Sequence, residues 1–160
     1  MAKAKIPMTP AIRVLKKSGI PFTLHPYAYE DKGGTRHAAR ELNVDEHQVI
    51  KTLIMENEAH QPVLVLMHGD REVSTKALAR ELNTKTISPC QPEVAHKHTG
   101  YYVGGISPLG TRKPLKGVFE ASIQDLPSIY INAGRRGLLA QVSPLPLLQF
   151  MGAVPVHVSV

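Results

Sequence analysis

The 160-residue chain is long enough for one compact domain with a substantial core, and its length gives no reason to divide residues 1–160. A 42% hydrophobic share with 20% charged residues excludes a disordered chain, and no apolar run reaches the roughly 18 residues of a membrane-spanning helix. Nineteen Lys and Arg against thirteen Asp and Glu leave a formal charge of +6, which permits a phosphate-rich partner without establishing one.

Thr9 followed by Pro10 predicts a helix start: an N-cap hydroxyl, then a residue with preset φ and no N–H to satisfy. Gly19 supplies the stop. Ile12 and Leu15 then face inward. After Pro21, Phe22 and Leu24 alternate with Thr23 and His25, the pattern of a strand with one buried face. A second helix is expected from Thr35 to near Asn43. The segments VIKTLIM at 49–55 and VLVLM at 63–67, separated by the turn-forming ENEAHQP, read as a hairpin. A third helix runs from Ser74 to about Asn83. Its ARELN at 79–83 duplicates ARELN at 39–43, but the flanks differ, which points to convergent helix chemistry rather than a repeat unit. Short strands follow at KTIS, GVFEA, SIYIN and LLAQV, then a helix opening at Ser143 and Pro144 and a closing strand in VPVHVSV at 154–160. This irregular order predicts a mixed sheet in an α+β or loosely α/β domain.

The least ordinary stretch is TGYYVGGISPLG at 99–110, where four glycines, a proline and a serine surround few bulky residues. Glycines let a backbone approach a ligand and aim N–H groups at a carbonyl oxygen or phosphate, and Gly104 and Gly105 are the natural donors. An isolated Gly-Gly would be an ordinary hairpin turn, and the spacing fits neither a dinucleotide fingerprint nor a P-loop. A second glycine-rich segment, INAGRRGL at 131–138, follows the strand SIYI; it reads equally as a pocket wall, with Asn132 offering a donor and acceptors, or as a strand-ending turn with Arg135 and Arg136 solvated. Lys51, set among Val49, Ile50, Leu53 and Ile54, lies either on the solvated face of an amphipathic strand or beside a cleft.

Other chemistry has little support. His96 and His98 would not share a helical face, and HExxH and CxxC are absent, so no metal and no cofactor is expected. Ser107 lacks a GxSxG context, and Cys90 in SPCQP reads as a small loop or core residue. As the single cysteine it cannot form an internal disulfide, and the opening MAKAKIPMTPAIRV has lysines with no continuous apolar stretch behind them. The expected setting is the cytoplasm.

KTL at 51–53, TGYYVGGISPLG, INAGRRGL and the opening MTPAIRVLKKSGIPFTLHPY at 8–27 together resemble the YbaK and ProX group of tRNA-editing proteins, in order and spacing, over nearly the whole chain from Met8. The resemblance implies a mixed sheet curled into a partly open barrel with helices outside, and a pocket for the aminoacylated end of tRNA. Carried over by position, that pocket comprises Tyr27, Lys51, Thr52, the backbone at Gly104 and Gly105, Ser107, and a wall at Asn132, Ala133 and Gly134. Lys51 would fix the terminal ribose or phosphate and stabilise charge on the ester carbonyl, with the glycine loop as an oxyanion hole.

In the YbaK group the enzyme supplies no nucleophile. The thiol of the bound cysteine attacks its own ester carbonyl, releasing tRNA and a cyclic thiolactone. The implied activity is removal of cysteine from proline tRNA, with prolyl-tRNA synthetase as a further partner. The alternatives are a ProX-type alanyl-tRNA hydrolase and a non-catalytic tRNA- or synthetase-binding module. Asn132, Ala133 and Arg135 stand where relatives commonly read something closer to SGGKRGL, and Leu139 where a polar residue is frequent. An acidic residue often found ahead of the paired alanines is missing from DKGGTRHAAREL. Such differences bear on substrate choice, where a few contacts are worth about 1–3 kcal/mol.

Overall fold

The computed structural model describes residues 6–160; the first five residues, with Lys3 and Lys5, lie outside it. Helix α1 (Pro10–Ser18) begins where the Thr9 hydroxyl accepts the Ile12 N–H at 3.0 Å and ends at Gly19 in the left-handed region. It buries Ala11, Ile12 and Leu15. Strand β1 (Thr23–Pro26) leads to α2 (Gly34–Leu42), then β2 (Ile50–Asn57) and β3 (Pro62–His68) form the expected antiparallel hairpin, and α3 (Thr75–Glu81) follows. The chain continues through β4 (Ile87–Pro89), α4 (Pro92–Thr99), β5 (Lys116–Glu120), β6 (Ile129–Arg135), β7 (Leu138–Val142), α5 (Pro144–Met151) and β8 (Val154–Val156).

Two open sheets result. One runs β1-β7-β6, all antiparallel; the other runs β4-β2-β3-β5-β8, with β3–β5 and β5–β8 parallel. The domain is therefore mixed α+β, as the element order predicts. A single parallel bridge, Val49 to Tyr130, ties β2 to β6 where the sheets meet. Alternation along β2 and β3 feeds two cores: Ile50, Ile54, Leu64 and Leu66 join α1 and β6 in the larger, while Met55, Val65 and Met67 pack with Leu78 of α3 in the smaller. Leu66 and Met67 are fully buried, each contributing about 1.5–3 kcal/mol of transfer free energy. No helix among the described residues is long and apolar enough to cross a membrane.

Three local differences from the sequence reading have identifiable causes. Strand β4 starts two residues later than KTIS suggests, because the Glu58 carboxylate accepts the N–H groups of Lys85 and Thr86 and holds them in a turn. The closing strand stops at Val156: the buried carboxylate of Glu120 accepts the Val158 and Ser159 N–H groups at 2.7 and 2.8 Å and turns the chain toward Glu72. Helix α4 is not anticipated, although Pro92 in its first turn, Glu93 and the left-handed Gly100 are standard boundary residues.

Candidate active site

The site follows from an interruption in pairing along β2. Val49, just before its first residue, meets β6 at the bridge to Tyr130, and its last three residues, Met55–Asn57, pair with β4. Between these contacts this edge carries no strand ladder. The Cys90 N–H donates to the Ile54 carbonyl at 2.9 Å on the β4 side, and the Asn57 N–H donates to Gln61 at 3.2 Å on the hairpin side. Strand residues alternate the side to which they direct N–H and C=O, so Thr52, two residues before Ile54, points both groups into the gap. A cavity of about 580 Å³ occupies that gap, a size typical of small-molecule sites.

Five of the nine expected site residues line this cavity: Tyr27, Lys51, Thr52, Gly104 and Asn132. Lys51 and Thr52 leave opposite faces of β2, Thr52 on the side of Ile50 and Ile54 and Lys51 on the side of Leu53 and Met55. Both reach one cavity because the strand edge itself is its wall. The Lys51 side chain is 19% exposed, and its Nζ lies 3.2 Å from Oε1 of Glu72, whose side chain is 80% exposed. The Thr52 hydroxyl is buried and has no hydrogen-bond partner among the described residues. Burial raises the pKa of the Tyr27 phenol above its ordinary value, the neighbouring Tyr29 adds to this, and the Gly137 backbone opposes it.

The other four residues have structural positions outside the cavity. Ser107 is fully buried and its hydroxyl accepts the Leu109 N–H at 3.2 Å, which shapes a turn. Ala133 is fully buried in the β6 bulge, with its carbonyl accepting the Thr9 hydroxyl. Gly105 donates its N–H to the Tyr102 carbonyl at 2.8 Å, so that group is occupied and does not serve as an oxyanion donor. A Cβ there would come within 2.8 Å of the Arg136 backbone nitrogen. Gly134 and Gly105 both open onto a second cavity, of about 710 Å³, beyond the glycine loop.

Asn132, expected to offer polar atoms to a ligand, uses them internally. Its Nδ2 donates to the Gly104 carbonyl at 3.1 Å, and its Oδ1 accepts the N–H groups of Gly134 and Arg135. One amide thus clasps the two glycine-rich segments together. Of the pair, Gly104 alone lines the β2 cavity, and its N–H makes no hydrogen bond among the described residues.

Several lining residues escaped the sequence reading. Cys90 packs against the larger core and lines the cavity, with burial pushing its thiol pKa up to about 11. At neutral pH it is a protonated thiol, which is a poor nucleophile. Glu72 reaches Lys51 across 21 positions of sequence, a separation with no local signal. Arg136, solvated in one of the two sequence readings of INAGRRGL, lines both cavities; its Nε donates to the Val103 carbonyl at 3.0 Å and its guanidinium lies 5.5 Å from the Tyr29 ring centroid.

Comparison with known proteins agrees with this architecture. Residues 30–150 match the family model described as the aminoacyl-tRNA editing domain. The chain is 27% identical over 150 residues to EbsC of Enterococcus faecalis, a proposed Cys-tRNA(Pro)/Cys-tRNA(Cys) deacylase, covering 92% of each protein. It is also 33% identical over 104 residues to a proline–tRNA ligase of Streptococcus equi subsp. zooepidemicus, spanning 64% of this chain and 17% of the ligase. Among solved structures, a proposed trans-editing enzyme for prolyl-tRNA synthetase superposes with a TM-score of 0.82 at 21% identity, covering 97% of this chain and 99% of that one. A hypothetical protein superposes at 0.87 and 24%, covering 95% and 100%. With the matching model spanning three quarters of its length, the chain belongs to the aminoacyl-tRNA editing domain family, the group whose YbaK and ProX members its motifs resemble.

Proposed function

We propose that this protein acts in trans to remove a mischarged amino acid, cysteine in the first instance, from tRNA(Pro). The observation that carries the reading is a cavity at the β2 gap lined by a shielded lysine and an unpartnered buried hydroxyl, whose one protein thiol stays protonated. Such a site suits a reaction in which the substrate brings its own nucleophile. The cysteinyl sulfur attacks the ester carbonyl, the C–S bond forms as the C–O bond to the ribose breaks, and the thiol proton ends on the departing ribose oxygen. The products are a four-membered thiolactone and free tRNA.

Lys51 and the Gly104 N–H supply positive potential where the carbonyl oxygen gains charge, and Thr52 offers its hydroxyl and edge backbone groups to orient the aminoacyl end. Orientation and electrostatics of this kind lower a barrier by several kcal/mol without a protein acid–base pair. EbsC, similar over 92% of its length, supports cysteine as the substrate. The chain spans about a fifth of the length of the proline–tRNA ligases it matches, and that likeness supports prolyl-tRNA synthetase as a partner.

The test is a deacylation panel of Cys-tRNA(Pro), Ala-tRNA(Pro) and Pro-tRNA(Pro). Rapid loss of the cysteinyl ester, with thiolactone trapped by an added amine, is the expected result. Loss of the alanyl ester alone would move the protein to the ProX type, and loss of none would leave a non-catalytic binding module.

A further inference from the structure

The cavity on the far side of the glycine wall has a composition unlike the first. Arg112, Arg135 and Arg136 line its 710 Å³, and no carboxylate does. Among the described residues none of the three arginines forms a salt bridge. The guanidinium of Arg112 lies over Gly100, with Nε and Nη2 both 3.7 Å from where a Cβ would sit, so the missing side chain gives it a flat seat at the cavity wall. Tyr102 stands at the same cavity, 68% exposed, and its ring stacks on His96 at 4.4 Å with 16° between planes. The His96 Nδ1 lies 3.0 Å from the Tyr101 carbonyl, which fixes that ring beneath the tyrosine.

Unpaired guanidiniums around a groove, together with a supported aromatic face open to solvent, form the combination that holds a single-stranded nucleic acid: cations for successive phosphates and a platform for a base. The two cavities are also continuous in one respect. Arg136 lines both, and Gly104 and Gly105 face opposite sides of one thin wall.

We propose that the arginine cavity is the docking groove for the unpaired 3′ strand of the substrate RNA, taking the phosphates and one base that precede the terminal nucleotide, while that nucleotide and its ester cross the Gly104–Gly105 wall into the β2 gap. The assignment of the ester to the β2 gap rests on the function proposed above. The groove itself recognises phosphate charge and an unstacked base, not the amino acid. Arg112, Arg135 and Tyr102 are binding residues remote from the reacting atoms.

The test uses a fluorescein-labelled RNA oligonucleotide ending in CCA and carrying no amino acid, titrated with the full chain across a range of salt. The Arg112→Ala/Arg135→Ala variant should weaken binding at least tenfold and flatten the salt dependence by about 1.4 in log K per log[salt], since each phosphate contact on a single strand contributes roughly 0.7. Arg112→Lys/Arg135→Lys should keep the slope. Tyr102→Ala should weaken binding at least fivefold with the slope unchanged, and Tyr102→Phe should restore it. In deacylation, the arginine variants should raise KM for the full aminoacyl-tRNA by a larger factor than they lower kcat.

Unchanged oligonucleotide affinity and slope in folded arginine variants would overturn the groove, as would equal binding of a blunt RNA duplex. Arginine-dependent binding with no deacylation of any ester would instead remove the proposed function and leave the groove standing.

Discussion

Six charged residues line the β2 gap, three cations (Lys32, Lys51 and Arg136) against three carboxylates (Glu30, Asp31 and Glu72), and Lys51 is already held by Glu72. Across the glycine wall, three guanidiniums meet no carboxylate. A balanced site attracts little from a distance, and its charges matter once a substrate displaces Glu72 from the ammonium. An unbalanced one attracts anions early and over a longer range, with an effect that salt screens. On the proposed reading the difference separates two tasks, orientation at the ester and capture of the strand, and each can be disturbed alone.

Lys51→Ala should cause the largest change and affect only the first task. Loss of an electrostatic stabiliser at a developing oxyanion costs about 2–4 kcal/mol, so kcat/KM should fall roughly 30- to 1,000-fold while oligonucleotide binding persists. Stability should hardly move, because a half-exposed ion pair contributes about 0–1 kcal/mol. An active Lys51→Ala enzyme on Cys-tRNA(Pro) would sink this role for the lysine.

Gly105→Ala should disturb both tasks. Its Cβ would meet the Arg136 backbone nitrogen at 2.8 Å, where neither segment can yield cheaply while Asn132 clasps them. Overpacking of this kind costs about 1–3 kcal/mol, so a lower Tm should accompany losses in both deacylation and strand binding. If only one assay suffers, the wall is not shared as described.

Acid pH tests whether a decline in activity belongs to the sites at all. His68 is buried away from both cavities, stacked on His47 at 3.7 Å, 2.7 Å from the Ser122 hydroxyl, and near Asp70 and Glu120. Desolvation holds its pKa below the ordinary 6.5 in the folded state. The unfolded chain then takes up a proton that the folded one refuses, so stability falls as pH drops through about 6.5 and levels off below the folded value. Tm should decline between pH 7 and 5, and His68→Gln should flatten that slope. A flat Tm in the unaltered protein would refute the assignment.

Cys90→Ser should have the smallest effect. The thiol lines the β2 gap, yet at neutral pH it is protonated, and in the proposed mechanism the reacting sulfur belongs to the substrate. Turnover should stay within a few-fold, whereas replacing substrate cysteine with serine on the same tRNA should slow release sharply. A folded but dead Cys90→Ser protein would point to a nucleophile in the protein.

How far the molecule could be read from its sequence depended on the range of the physics involved. Thr9-Pro10 and Gly19 delimit α1 because capping is decided within four residues, and the hairpin of β2 and β3 is carried by strand pattern and turn residues alone. The ends of β4 and β8 were misplaced because Glu58 and Glu120 act from 27 and 38 positions away. The same limit applies to the site. Lys51 was conspicuous by its apolar neighbours, but its partner Glu72 and the approach of Cys90 depend on tertiary contacts. The glycine segments were recognised as a pair, yet the sequence assigned to ligand binding several groups that the fold uses internally: the Asn132 amide joins the segments, and the Gly105 N–H and the Ser107 hydroxyl bond within the first of them.

The duplicated pentapeptide has a consequence for how likeness within a chain is interpreted. Both copies of ARELN end a helix with asparagine in the left-handed region, Asn43 at φ 56 and Asn83 at φ 58. In each, the alanine carbonyl accepts the N–H five residues on, Val44 to Ala39 at 3.0 Å and Thr84 to Ala79 at 2.9 Å. Asparagine is the residue other than glycine that most readily adopts this conformation, so the choice of letters at such a stop is narrow. Identical words can therefore arise wherever a short helix must end in the same manner, and five matching residues inside one protein are weak evidence of common descent when a single energetic requirement can select them twice.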